Sequence, residues 1–151
     1  MLGSALRYTG TVLFVTVVVS LVAGVVLGQP VLLSFVETDS MEPTIDAGDG
    51  FVALPTVLWG EPTTGDIVVF EAETIEGGGL TTHRIVDETD EGFITRGDGN
   101  PFTDQDGGEP PVAESQIVAT VPQAGDSPLV IPFLGTAIQT VQGAVGAVVS
   151  P

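Results

Sequence analysis

Thr38-Asp39-Ser40-Met41-Glu42-Pro43-Thr44 marks the point where an uncharged apolar run gives way to an acidic chain patterned for strands and turns. Pro43 fixes its own φ and biases Glu42 away from the helical region, so the backbone around Ser40 is stiff and can present a hydroxyl in one direction. With no cysteine in the chain, Ser40 is the best nucleophile candidate. A serine hydroxyl barely ionises at neutral pH and needs a base to attack anything. There is no lysine and one histidine, His83, so a base of the usual kind has one address. Met41 is apolar beside polar neighbours, which suits either the core or a membrane surface.

Upstream, Thr11 to Leu27 is almost wholly apolar, and no charge occurs between Arg7 and Glu37. A helix needs about 20 such residues to cross a bilayer. A cleaved secretory signal has a shorter apolar core, about 7–15 residues, followed by a small-x-small site. The longer run here predicts a retained transmembrane anchor at 11–29 behind a lead at 1–10. Arg7 and the terminal amine place the lead in the cytoplasm and Glu37 onward on the extracellular face of the cell membrane.

Downstream, glycine and proline punctuate β-branched runs at Val31–Val36, Gly50–Leu54, Asp66–Glu71, Thr81–Val86, Gly92–Arg96 and Gln116–Val121. This predicts a mainly β domain over 30–122, with no sustained helical periodicity. The acidic, glycine-rich pieces Glu73–Gly79 and Asp104–Pro111 read as solvated loops. From Leu129 to Val149 the chain is again uncharged and apolar, a candidate second membrane helix.

Three arginines against 20 acidic residues give a net charge of −17. Such a surface repels phosphates, which excludes nucleic acid as a partner. Because 43% of residues are hydrophobic, the chain can bury a core, and acidity does not mean disorder here. It points instead to concentrated salt, where the Debye length falls to roughly 3 Å and carboxylate repulsion is screened. Complete loss of lysine fits a haloarchaeal source. Without cysteine, disulfides and thiolate metal sites are excluded.

If His83 lies in a strand, it shares a face with Ile85, while Thr82, Arg84 and Val86 share the other. A lone histidine among apolar residues is more often a core residue than a catalyst. A histidine base works best when a carboxylate holds its tautomer. Asp98 and Asp104, in Arg96-Gly97-Asp98-Gly99-Asn100-Pro101-Phe102-Thr103-Asp104, are the candidates. Asp98 is also a natural turn residue. The same segment is not an EF-hand, since Phe102 stands where a ligand is needed and Thr103 where glycine is needed. A weaker cation site stays open.

In order along the chain, the N-terminal anchor, Ser40-Met41-Glu42-Pro43-Thr44, Gly65-Asp66-Ile67-Val68-Val69-Phe70, His83-Arg84-Ile85-Val86 and Gly97-Asp98-Gly99-Asn100 with Asp104 beyond resemble the type I signal peptidases. The likeness is to the archaeal and endoplasmic-reticulum branch and covers roughly Val31 to Val121. Each motif alone is weak; four in order are specific. The bacterial branch uses a lysine base, which this chain lacks. The resemblance implies a small domain of coiled β-sheets at the membrane surface, with Ser40 as nucleophile and His83 as base. It implies that Asp98 or Asp104, or both, support the site, with Asp104 favoured as the partner of His83 and Asp98 fixing the loop. The hydroxyl of Thr38 and the backbone N–H of Ser40 are the implied oxyanion donors. Signal-peptide-bearing preproteins cut after small-x-small sites, the lipid bilayer and the secretion channel are the implied partners, and no metal or cofactor is required. Two departures stand out. Asp39 occupies a position where the family often has glycine, and a single Asn100 represents a motif usually rich in asparagine.

Two rivals make different predictions. A membrane-anchored acidic β module that binds a partner or cations without catalysis predicts no effect of Ser40→Ala or His83→Ala. A peptidase of the same fold acting on another substrate predicts cleavage away from small-x-small sites.

Overall fold

The computed structural model describes residues 34–136 together with Val15 and Thr140. The lead at 1–10, the anchor expected at 11–29 and most of the 129–149 run therefore lie outside the described residues. Among the described residues no helix is long and apolar enough to cross a membrane.

The described chain is mainly β. Five strands form the central antiparallel sheet: β3 (Leu54–Pro55), β7 (Ile117–Val121), β4 (Ile67–Ala72), β5 (Gly79–Thr89) and β6 (Gly92–Arg96), in that order. A second sheet places β2 (Gly50–Phe51) between β1 (Ser34–Phe35) and β10 (Val130–Ile131), and a small hairpin pairs β8 (Gln123–Ala124) with β9 (Ser127–Pro128).

The central strand β4 explains the layout. Its sequence Ile67-Val68-Val69-Phe70 is apolar on both faces, as expected of a strand with no face toward water, and all four residues are buried. Ile67 and Val69 pack into one core with Met41, Ile45, Phe51, Ala119 and Val121. Val68, Phe70 and Ala72 pack into the other with Ile85, Phe93, Val112 and Ile117. Met41 is fully buried in the first core, so the choice left open for it by sequence falls to the core. Together with Ile45 it nails the turn carrying Ser40 onto the sheet.

The apolar runs at 66–71, 81–86, 92–96 and 116–121 correspond to β4, β5, β6 and β7. The run Gly50–Leu54 does not form one strand. Phe51 and Ala53 both enter the first core, and the chain crosses between them from the sheet of β2 to that of β3. Beyond residue 122, where the β domain is expected to end, lie the short strands β8, β9 and β10. A helix from 129 is not formed at its first residues. Val130 and Ile131 pair with Phe51 and Gly50, which satisfies the second edge of β2, and helical backbone begins at Leu134. The one-turn helix α1 (Thr56–Trp59) escaped the periodicity reading because a single turn has no period to detect.

Candidate active site

Three elements converge on Ser40. The first is its own turn, where Glu42 N–H donates to Asp39 O (3.0 Å), and Thr44 and Ile45 N–H both donate to Met41 O (2.9 and 3.0 Å). The second is β5, which carries His83 opposite Val68 of β4. The third is the loop that leaves β6 at Gly97. Gly99 N–H donates to Ser40 O (2.9 Å) and ties that loop to the turn.

The contacts form one chain of hydrogen bonds. His83 Nε2 lies 3.1 Å from Ser40 Oγ, and His83 Nδ1 lies 2.7 Å from Asp104 Oδ2. An ionised carboxylate only accepts, so the Nδ1 proton faces Asp104 and Nε2 is left as an acceptor toward Ser40. Thr95 Oγ1–H donates to the same Asp104 oxygen at 2.7 Å, and Thr38 Oγ1 lies 3.2 Å from Ser40 Oγ. His83 and Asp104 are 3% and 8% exposed, so water scarcely competes for this link. Ser40 is half-buried and lines a cleft of about 530 Å³ together with Phe35, Thr38, Leu80, Thr82 and His83.

Asp104 is set by β6, its N–H donating to Thr95 O at 2.8 Å. Asp98, in contrast, faces Arg84, on the opposite side of β5 from His83. Its two oxygens accept from Arg84 Nε (2.8 Å) and Nη2 (2.6 Å), and Arg84 Nη1 donates on to Gly65 O and Gln123 Oε1. Burial alone would push the Asp98 carboxyl up. The Arg84 fork, a bond from Thr44 and the charge of Arg96 outweigh it and hold Asp98 below the usual carboxylate range. The same pair raises Arg84, chiefly through its hydrogen bond to Asp98. Asp98 thus clamps the 97–100 loop to β5 without touching His83. Asp39 is exposed; its carbonyl serves the turn.

Two features were not legible in advance. Thr95 reads as an ordinary strand threonine, and nothing near it in sequence marks it as a second donor to Asp104. Gly97 is the other. A Cβ there would collide with Ser40 O and lie 3.0 Å from His83 Nε2 and 2.8 Å from Asn100 Nδ2. Only glycine lets the loop approach this closely. Gly97→Ala should therefore lower turnover by about 10²-fold, the scale of a misplacement near 1 Å. Melting of the variant measured beside its kinetics will tell displacement from unfolding.

A buried carboxylate also holds the rim of the cleft. Glu109, 3% exposed, accepts from the N–H groups of Glu73 (2.6 Å), Thr74 (2.7 Å) and Ile75 (3.2 Å) and from Thr74 Oγ1 (2.6 Å). Burial would raise its pKa, but these four donors, the Thr74 hydroxyl foremost, hold it below the ordinary 4.5. A depressed carboxyl adds stability that is present above 4.5 and lost as pH falls through its folded value. Glu109→Gln replaces one accepting oxygen with a donor amide, so a loss of about 1–3 kcal/mol is expected at neutral pH. The gap to the wild-type protein should narrow on acidification below 4.5. Chemical denaturation across pH checks both.

A family model described as signal peptidase, peptidase S26, matches residues 6–99, more than half of the chain. The chain belongs to the signal peptidase family. The match spans Ser40, His83 and Asp98 and ends before Asp104, whose place beside His83 rests on the geometry above. No curated protein and no solved structure matches this family member.

Proposed function

We propose that this signal peptidase family member is a membrane-bound serine endopeptidase that removes signal peptides from exported preproteins after small-x-small sites. The observation that carries the reading is the continuous link Ser40–His83–Asp104, at 3.1 and 2.7 Å, opening on a cleft. In the proposed reaction Ser40 Oγ attacks the scissile carbonyl while its proton passes to His83 Nε2. The tetrahedral intermediate collapses as Nε2 returns that proton to the leaving amine, which frees the mature chain and leaves an ester on Ser40. His83 then takes a proton from water as its oxygen attacks the ester, and Nε2 returns that proton to Ser40 Oγ as the ester bond breaks, so the signal peptide departs as an acid and the serine is restored. The Ser40 N–H and the Thr38 hydroxyl serve as oxyanion donors.

The substrate would lie extended in the cleft. Over Leu80–Thr82, β5 is paired with β4 on one side only among the described residues, and that stretch lines the cleft together with Phe35–Thr38. A peptide could add there by main-chain hydrogen bonds. The apolar N-terminal run would place the domain on the extracellular face of the cell membrane, beside the secretion channel. The exposed side chains Val57, Leu58 and Trp59 support a lipid-facing surface. The acidic, lysine-free composition supports a haloarchaeal enzyme working in concentrated salt.

The test is processing of a panel of precursors in high-salt membranes, with cleavage sites mapped by mass spectrometry. Cuts after small-x-small sites that disappear in Ser40→Ala support the reading. Processing unchanged in Ser40→Ala, or cuts only elsewhere, would overturn it.

A further inference from the structure

The sheet β1–β2–β10 joins the C-terminal part of the domain to the wall of the cleft. Phe35 of β1 lines the cleft, five residues before Ser40. After β10 the chain turns, with Phe133 N–H donating to Asp49 Oδ1 (2.8 Å), and Leu134–Thr136 return across β2 and β1. Thr136 N–H donates to Gly48 O at 3.2 Å. The seat has no room for added side chains. A Cβ on Gly48 would lie 2.6 Å from Thr136 Oγ1, and one on Gly135 would lie 2.8–2.9 Å from Phe35 Cβ, Cγ and Cδ2. Gly135 is buried. One part of Phe35 therefore borders the cleft while another rests on bare Gly135 backbone.

We propose that Leu134–Thr136 is a positioning element for substrate: by backing Phe35, Gly135 sets the wall of the cleft that leads to Ser40. Nothing in this segment touches the reacting atoms. Close-packed interiors transmit such displacement because there is no void to absorb it. An added side chain at 135 pushes Phe35 toward the cleft, or out of β1 register with β2, and narrows or deforms the groove. The inference rests on reading the cleft as the preprotein groove. It adds that substrate fit depends on a segment about 95 residues from the serine, which packing alone brings near.

The experiment uses the full chain in high-salt membranes. Wild type, Gly135→Ala and Gly135→Val are compared on one precursor, normalised to folded enzyme. In parallel, amide hydrogen exchange over residues 35–40 and 83–87 is measured in a Ser40→Ala background. Gly135→Val should raise KM about tenfold with kcat within about twofold, a loss of fit and not of chemistry. Gly135→Ala should do less of the same. Exchange at 35–38 should speed up while that at 83–87 stays put. Unchanged KM and exchange in both Gly135 variants would overturn the proposal. So would a fall in kcat without change in KM. If Gly135→Val does not fold, Gly135→Ala decides. Should wild type and Ser40→Ala process alike, the protease reading fails, and exchange alone still decides whether Gly135 governs Phe35.

Discussion

Ser40→Ala should lower precursor cleavage by about five to six orders of magnitude, His83→Ala should cost nearly as much, and the double variant should be no worse than either. In the proposed mechanism the two groups act as one device. A hydroxyl without its base does not deprotonate, and a base without its hydroxyl has nothing to activate, so losing the second part removes no further catalysis. The 3.1 Å separation of Oγ and Nε2 makes the unit available before substrate arrives. Alanine at 40 leaves the turn intact, because Met41 and Ile45 hold it in the core and backbone bonds close it. Single-turnover assays on both variants and the double check this. A double variant reduced by the product of the two single losses would show that the groups work independently.

The second large effect is expected at Asp104. Asp104→Asn should lower kcat by about 10⁴-fold with little change in KM. Asparagine keeps the shape, but its amide can donate toward Nδ1, which favours the tautomer with the proton on Nε2. That proton faces Ser40 and blocks its activation. The carboxylate would also no longer steady the imidazolium formed during attack. Asp98→Asn provides the contrast. Its carboxylate is engaged by Arg84, so it should loosen the 97–100 loop and lower thermal stability, with a far smaller loss in kcat. Equal kcat losses in the two variants would mean that Asp98, and not Asp104 alone, controls the histidine.

Several parts of this were readable in one dimension because the physics acting there is local. Alternating and continuous apolar runs mark strands through the two-residue period of the backbone, which is how β4 to β7 could be placed. The absence of lysine and cysteine left one base and one class of nucleophile. That elimination singles out His83, while Ser40, one of several serines, is marked by its proline-stiffened motif and by what the resemblance implies. Short, special segments were less legible. The Gly50–Leu54 run reads as a single strand, yet it divides between two sheets, because the division depends on which partner supplies hydrogen bonds to each half. Leu129 onward reads as membrane helix, yet Val130 and Ile131 complete the edge of β2, a demand set by a strand some 80 residues earlier.

By itself, the amino-acid sequence determined which chemistry this protein has available: a serine, a single imidazole, abundant carboxylates, a strand-forming domain and an uncharged run ahead of it. Only the tertiary structure decided which carboxylate meets which side chain. Asp98 and Asp104 lie six residues apart in one loop and are equivalent as acids. The strand β5 shows His83 to one side and Arg84 to the other, and the loop delivers Asp104 to the first and Asp98 to the second. The physical reason is that a hydrogen bond is decided by ångströms and direction in space. Sequence records residue order, while the sheet register that turns order into distance is settled by the packing of the whole domain.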